Sequence, residues 1–203
     1  MASVYDLKSR FQHLLRPLMK LLARMGVTPN AVTLLAVAGS IIAGAAISQS
    51  WRWRACLLLL PGWLFVRMAL NAIDGMMARE LGMATTLGGV LNEVGDVISD
   101  LSLYLPLAFA HEGTTWPAVA FSIGAVLTEF CGVMAKALGA SRRYEGPMGK
   151  SDRAFVIGAF AVVAFALPRA AWLWPWVLWA GAILTLLTCW NRVSKALAEL
   201  KSV

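Results

Sequence analysis

The sequence predicts an all-α integral membrane protein, with six transmembrane helices preceded by an amphipathic interfacial helix. Three observations predict it. The 203-residue chain is 59% hydrophobic and only 14% charged, where soluble domains carry about 25% charged residues. Its mean hydropathy is +0.68. Six stretches approach the roughly 20 mainly apolar residues that a membrane-crossing helix needs.

The elements follow in chain order. Residues 1–30 begin with a stretch in which Phe11, Leu14, Leu15, Leu18, Leu22 and Met25 recur at helical spacing, with basic residues between them. This pattern predicts a helix lying in the interface, kinked at Pro17; the alternative is a loosely ordered basic tail. Lys8, Arg10, Arg16, Lys20 and Arg24 interrupt the apolar run, so no cleavable signal peptide is expected. Residues 31–192 hold the spans, near 32–49, 55–78, 87–110, 116–137, 153–168 and 171–191, the fifth being short. Connections are brief, so neighbouring helices run antiparallel. Residues 193–203 read as a cytoplasmic tail. With no linker and no clear repeat, 1–203 reads as a single domain.

Charge sets the orientation. With a cytoplasmic N-terminus, 14 of the 18 Lys and Arg residues fall on that side, and only Arg52, Arg54 and Arg169 on the other. The positive-inside rule therefore places both termini in the cytoplasm, in a cell inner membrane. The same distribution accounts for the net charge of +7 without nucleic acid, and makes anionic membrane lipid the expected electrostatic partner. Trp51, Trp53, Trp172 and Trp174 suit the aromatic belt on the far side. Cys56, Cys131 and Cys189 lie in apolar runs without metal-type spacing and read as small hydrophobes.

Ionisable residues inside spans two and three stand out, since each costs about 2.5–3.5 kcal/mol on insertion scales. At 100° per residue, Asn71, Asp74 and Ala78 share one helix face. On the next helix Gly89, Asn92, Glu93, Asp96 and Asp100 fall within about 100° of one another. A short turn joins the two, so the polar stripes can face each other near the cytoplasmic end. Oxygen ligands converging from two helices suit a hard cation such as Mg²⁺, and Gly75, Ala78, Gly88 and Gly89 leave room for phosphate near the backbone. The bland reading is a polar seam that only glues helices. A cluster of intramembrane carboxylates argues for function instead.

These residues resemble the signature of the CDP-alcohol phosphotransferase family, Asp-x-x-Asp-Gly-x-x-Ala-Arg, then seven or eight residues, then Gly-x-x-x-Asp-x-x-x-Asp. Here the segment is Asn71-x-x-Asp74-Gly75-x-x-Ala78-Arg79, eight residues, then Gly88-x-x-x-Asn92-x-x-x-Asp96. The spacing matches, with Asn at the first and third Asp positions. Thr28, Asn30 and Thr33 are similar to the family's opening segment, and Gly149-Lys150 to a later element. The resemblance implies a six-helix bundle, a homodimer, a CDP-linked lipid donor such as CDP-diacylglycerol, an alcohol acceptor and Mg²⁺ or Mn²⁺. It implies transfer of a phosphatidyl-type group with release of CMP, in phospholipid biosynthesis. By position it makes Asn71, Asp74 and Asn92 metal ligands, and Asp96 both ligand and base. Gly75, Ala78, Arg79 and Gly88 line the cytidine diphosphate site.

Further candidates are weaker. Glu93 either adds charge to the metal site or forms a packing salt bridge to Arg79 or Lys150. Lys150 and Arg153 either reach the site mouth to hold phosphate or belong to an ordinary basic loop. Arg67, one turn before Asn71, meets a lipid phosphate or neutralises Asp74 or another acid. Two rival functions remain: a catalytically degenerate member that binds CDP-lipid or a partner enzyme, and a transporter with an intramembrane ion path. Transporter sites usually sit near the midplane, and this cluster lies toward one end.

Overall fold

The computed structural model describes residues 4–201, with side chains from residue 9 onward. Among the described residues there are seven α-helices and no strand. They are α1 (Val4–Arg24), α2 (Pro29–Ile47), α3 (Leu59–Glu80), α4 (Thr86–Tyr104), α5 (Thr115–Ala137), α6 (Lys150–Ala166) and α7 (Trp174–Lys201). Short 3₁₀ turns, Arg54–Leu58, Leu105–Phe109 and Pro168–Leu173, sit beside α3, α4 and α7.

Local chemistry sets the helix starts. Thr28 caps α2 by accepting from the Ala31 N–H at 3.2 Å, and Pro29 occupies the first turn, where its missing N–H costs nothing. Thr85 caps α4 by accepting from the Gly88 N–H at 2.9 Å. At α6, Asp152 in the first turn accepts from the Gly149 N–H at 3.0 Å. Between α3 and α4, Gly82 has φ +66°, a left-handed turn that favours glycine. This turn brings the C-terminal end of α3 and the N-terminal end of α4 together.

Helix α2 packs against α3 and α4, α5 against α7 and α4, and α6 against α3. The main core joins Leu60 and Leu64 of α3, Leu103 and Tyr104 of α4, Phe121 of α5, Ile157 of α6 and Trp174 and Leu178 of α7. A second core holds α1 down, with Met19 packed on Val32, Ile73, Met76 and Met77. Outward rows such as Leu34, Leu35, Ile41 and Ile42 on α2, and Ile183, Leu186 and Leu187 on α7, are exposed and apolar, as lipid-facing surface requires.

Four segments are long and apolar enough to cross a membrane: Pro29–Ile47, Arg54–Glu80, Thr115–Ala137 and Pro168–Lys201. Helix α4 carries Glu93, Asp96 and Asp100, and α6 has 17 residues, which is why neither meets that standard.

Three expectations change. The stretch 87–110 is not one helix: α4 ends at Tyr104, and Pro106 sits in the 3₁₀ turn that follows. Residues 193–201 are not a separate tail but the last turns of α7. Ala196 is buried beside Ala135 and Ala140, and Glu199 accepts from the Ser141 N–H at 2.9 Å and hydroxyl at 2.8 Å. Finally, the apolar face of α1 is split. Leu15, Met19 and Leu22 pack inward, whereas Leu14, Leu18, Leu21 and Met25 remain exposed. The helix continues through Pro17.

Candidate functional site

A pocket of about 300 Å³ opens where α2, α3 and α4 meet. Asn30 and Thr33 line it from α2, Asn71, Asp74, Gly75, Ala78 and Arg79 from α3, and Thr85, Gly88, Gly89 and Asn92 from the turn and α4. The two polar stripes do face each other. Thr28 stays off the pocket wall, its hydroxyl spent on the helix cap.

Asp74 is 5% exposed. Its Oδ2 accepts from the Thr33 hydroxyl at 2.8 Å. At two places the absent glycine side chain leaves room for a neighbouring polar group. A Cβ at Gly75 would lie 3.1 Å from the Arg79 guanidinium, which folds back over that residue. A Cβ at Gly88 would lie 2.7 Å from Asn30 Oδ1. The pocket therefore presents a carboxylate, three amides and a guanidinium around the glycine positions. Such a set can take an anion's oxygens at Arg79 and a hard cation at the oxygens of Asp74, Asn71 and Asn92. No group of three or more His, Cys, Asp or Glu residues is close enough to hold a metal among the described residues.

Asp96 lies one layer below. Its Oδ1 accepts from Asn71 Nδ2 at 3.1 Å and from Arg67 at 3.3 Å, and it pairs with the Lys150 ammonium. Arg67 is buried; besides its Asp96 bond it bonds Asp100 at 2.5 Å, so it neutralises those acids rather than Asp74.

Behind Asp96 runs a line of alternating charge. Asp100 accepts from Arg67 on one side and from Arg153 at 2.7 Å on the other. Arg153 continues to Glu129 at 3.0 Å, with further bonds to the Thr128 hydroxyl and the Met148 carbonyl. Glu129 accepts from Arg142 at 3.3 Å, and Arg142 pairs with Glu93. Arg192 ties α5 to the 138–149 loop through the carbonyls of Thr128, Tyr144 and Glu145. In that loop, burial works to raise the Glu145 carboxyl, but backbone N–H groups and Arg143 hold it below its usual range.

This line relocates two candidates. Arg153 is fully buried with both terminal nitrogens engaged, so it braces the helices and does not reach the site mouth. Glu93 makes its ion pair with Arg142, not with Arg79 or Lys150, and its side chain leaves the pocket wall. Lys150 does reach the site, through Asp96. Sequence reading missed Thr128 and Arg192, and offered Asp100 only as part of the stripe and as an alternative site residue beside Glu93. The available signal was an intramembrane acid on each of α4 and α5 opposite Arg153.

Comparisons with known proteins show the family and the fold. The family description "CDP-alcohol phosphatidyltransferase" matches residues 26–187. The chain is 43% identical over 197 residues to the inner membrane protein YnbA of Escherichia coli strain K12, covering 96% of each. It is 29% identical over 198 residues to the phosphatidylinositol phosphate synthase of Mycobacterium marinum, covering 92% of this chain and 80% of the relative. The fold is similar to that of the Mycobacterium tuberculosis phosphatidylinositol phosphate synthase, seen in a crystal structure with CDP-DAG bound. The TM-score is 0.75 at 22% identity, over 91% of this chain and 94% of that one. A crystal structure of the same enzyme with manganese and citrate gives the same TM-score, over 90% and 88%.

Proposed function

The chain belongs to the CDP-alcohol phosphatidyltransferase family, and from that premise we propose that it transfers a phosphatidyl-type group from CDP-diacylglycerol to an alcohol, releasing CMP. The observation that carries this reading is the pocket between α2, α3 and α4, where oxygen donors face a guanidinium over glycine. The relatives support the donor: the Mycobacterium marinum one is a phosphatidylinositol phosphate synthase, and the crystal structure of the Mycobacterium tuberculosis synthase holds CDP-DAG.

Arg79 pairs with the donor's diphosphate, and the absent side chains at Gly75 and Gly88 admit it close to the backbone. Asn71, Asp74 and Asn92 hold Mg²⁺ or Mn²⁺, the two Asn standing at signature positions where the family carries Asp. When bound, the cation supplies Lewis-acid polarisation of the diphosphate oxygens. Asp96 takes the proton of the attacking hydroxyl. Its bonds to Asn71, Arg67 and Lys150 all go to Oδ1, which leaves Oδ2 for the acceptor. Lys150 orients that carboxylate.

A second reading, a degenerate member that binds CDP-lipid without turnover, is favoured by the two amides and by the cations on Asp96. CMP release from CDP-diacylglycerol by the purified protein tests the choice. The transferase reading expects release with Mg²⁺ or Mn²⁺ and none in excess chelator; full release in chelator refutes the metal assignment.

The protein is read as a homodimer spanning an inner membrane six times, α2–α7 crossing and α1 lying in the interface, with termini and pocket on the cytoplasmic side. The distribution of Lys and Arg supports this sidedness. A single cysteine at exposed Tyr144, introduced after the three native cysteines are replaced, is expected to react with an impermeant maleimide only in opened cells. Labelling in intact cells would reverse the topology.

A further inference from the structure

Asn71 donates from Nδ2 to Asp96 Oδ1 at 3.1 Å. A carboxylate accepts and cannot donate, so the amide has one orientation: nitrogen toward Asp96, carbonyl oxygen on the other branch. Asn71 also lines the pocket with Asp74 and Asn92. The pocket side thus offers one carboxylate and, from α3 and α4, the amides of Asn71 and Asn92.

The Asp96 side is already matched. The Lys150 ammonium and the Arg67 guanidinium both pair with its carboxylate, and Arg67 further bonds the Asp96 carbonyl at 3.0 Å. A carboxylate at position 71 would face Asp96 across a hydrogen-bond distance, an arrangement that needs a shared proton or a cation between the two. The Asn71 N–H fills that position without one. A second divalent cation there would lie against the ammonium of Lys150, and the protein lining adds no further carboxylate to offset it.

We propose that this site takes one divalent cation, held by Asp74 with the carbonyl oxygens of Asn71 and Asn92, and that Lys150 and Arg67 balance Asp96 in place of a second. The proposal rests on the transferase reading. It assigns Asn71 a positioning role as a neutral bridge between the pocket and Asp96, and makes Lys150 part of the site's charge balance.

The test counts Mn²⁺ on the purified full chain in nanodiscs containing CDP-diacylglycerol, by electron paramagnetic resonance. CMP release is measured on the same sample. The expected result is one bound Mn²⁺ per chain with no Mn–Mn coupling, together with CMP release once an accepted alcohol is added. Asn71→Asp combined with Asn92→Asp is expected to bind two, with coupling between them. Two coupled Mn²⁺ in the unaltered chain, with CMP release, would overturn the single-cation proposal and leave the transferase reading standing. One Mn²⁺ in both proteins would overturn the claim that the amides set the count. No bound Mn²⁺ and no CMP release would overturn the transferase reading, and the proposal with it.

Discussion

Asp74→Asn and Asp96→Asn are each expected to cut CMP release from CDP-diacylglycerol by about 10²–10⁴-fold, the range over which a positioned acid–base group acts. Asp74 brings the pocket's carboxylate, buried and oriented by Thr33. Replacing it leaves only amides beside Arg79 and removes the charge that draws a cation in. Asp96 sits at the junction of Asn71, Arg67 and Lys150. Its amide replacement keeps the shape and still accepts at Oδ1, but it cannot take a proton from an alcohol. The two losses separate by readout. Asp74→Asn should also abolish Mn²⁺ binding in the presence of donor, whereas Asp96→Asn should largely retain it. Turnover in both variants within twofold of the unaltered chain would remove these residues from the chemistry.

Arg153→Met is expected to destabilise the fold by about 3–5 kcal/mol, the cost typical of removing one partner from a buried ionic group. Arg153 is fully buried between Asp100, itself 1% exposed, and Glu129, 6% exposed. Methionine would strand both acids in an apolar bundle and free the Thr128 hydroxyl and the Met148 carbonyl as well. Lysine at 153 is expected to rescue only part of the loss, because a point charge cannot fork between two carboxylates as a guanidinium does. Thermal unfolding in detergent reads this out, with a fall in Tm of roughly 6–20 °C for a chain of this size. A fall under about 2 °C would show that the line of charge carries little of the stability.

What the sequence made legible was whatever depends on one helix or on two helices joined by a short turn. The stripes on α3 and α4 needed only helical periodicity and the brief connection through Gly82, so Asn71, Asp74 and Asn92 meet as their spacing requires. Partners across distant segments were harder. Glu93 was open to several cations because the 138–149 loop that delivers Arg142 has no periodicity to place it. Arg153 looked like a loop residue near a helix start. Its burial depends on α5 bringing Thr128 and Glu129 beside α6, a contact no local pattern encodes. The end of α7 was missed for another reason. Hydropathy ends where charge begins, at Arg192, whereas the helix persists to Lys201 because Ala196 and Glu199 find partners in α5 and the following loop. In α1 the apolar spacing was read as one face. In the fold the apolar residues divide between two faces, one packed on α2 and α3 and one exposed.

The most direct test of group transfer is product analysis. Purified protein in nanodiscs would receive CDP-diacylglycerol labelled in the glycerol backbone, Mg²⁺ or Mn²⁺, and a panel of alcohols including glycerol phosphate, serine and inositol phosphate. The account predicts a new labelled phospholipid with one of them, formed in equal amount to CMP and absent without the cation. Donor that binds but yields neither product nor CMP with any alcohol or cation would contradict it, and would leave the chain a binder of CDP-lipid.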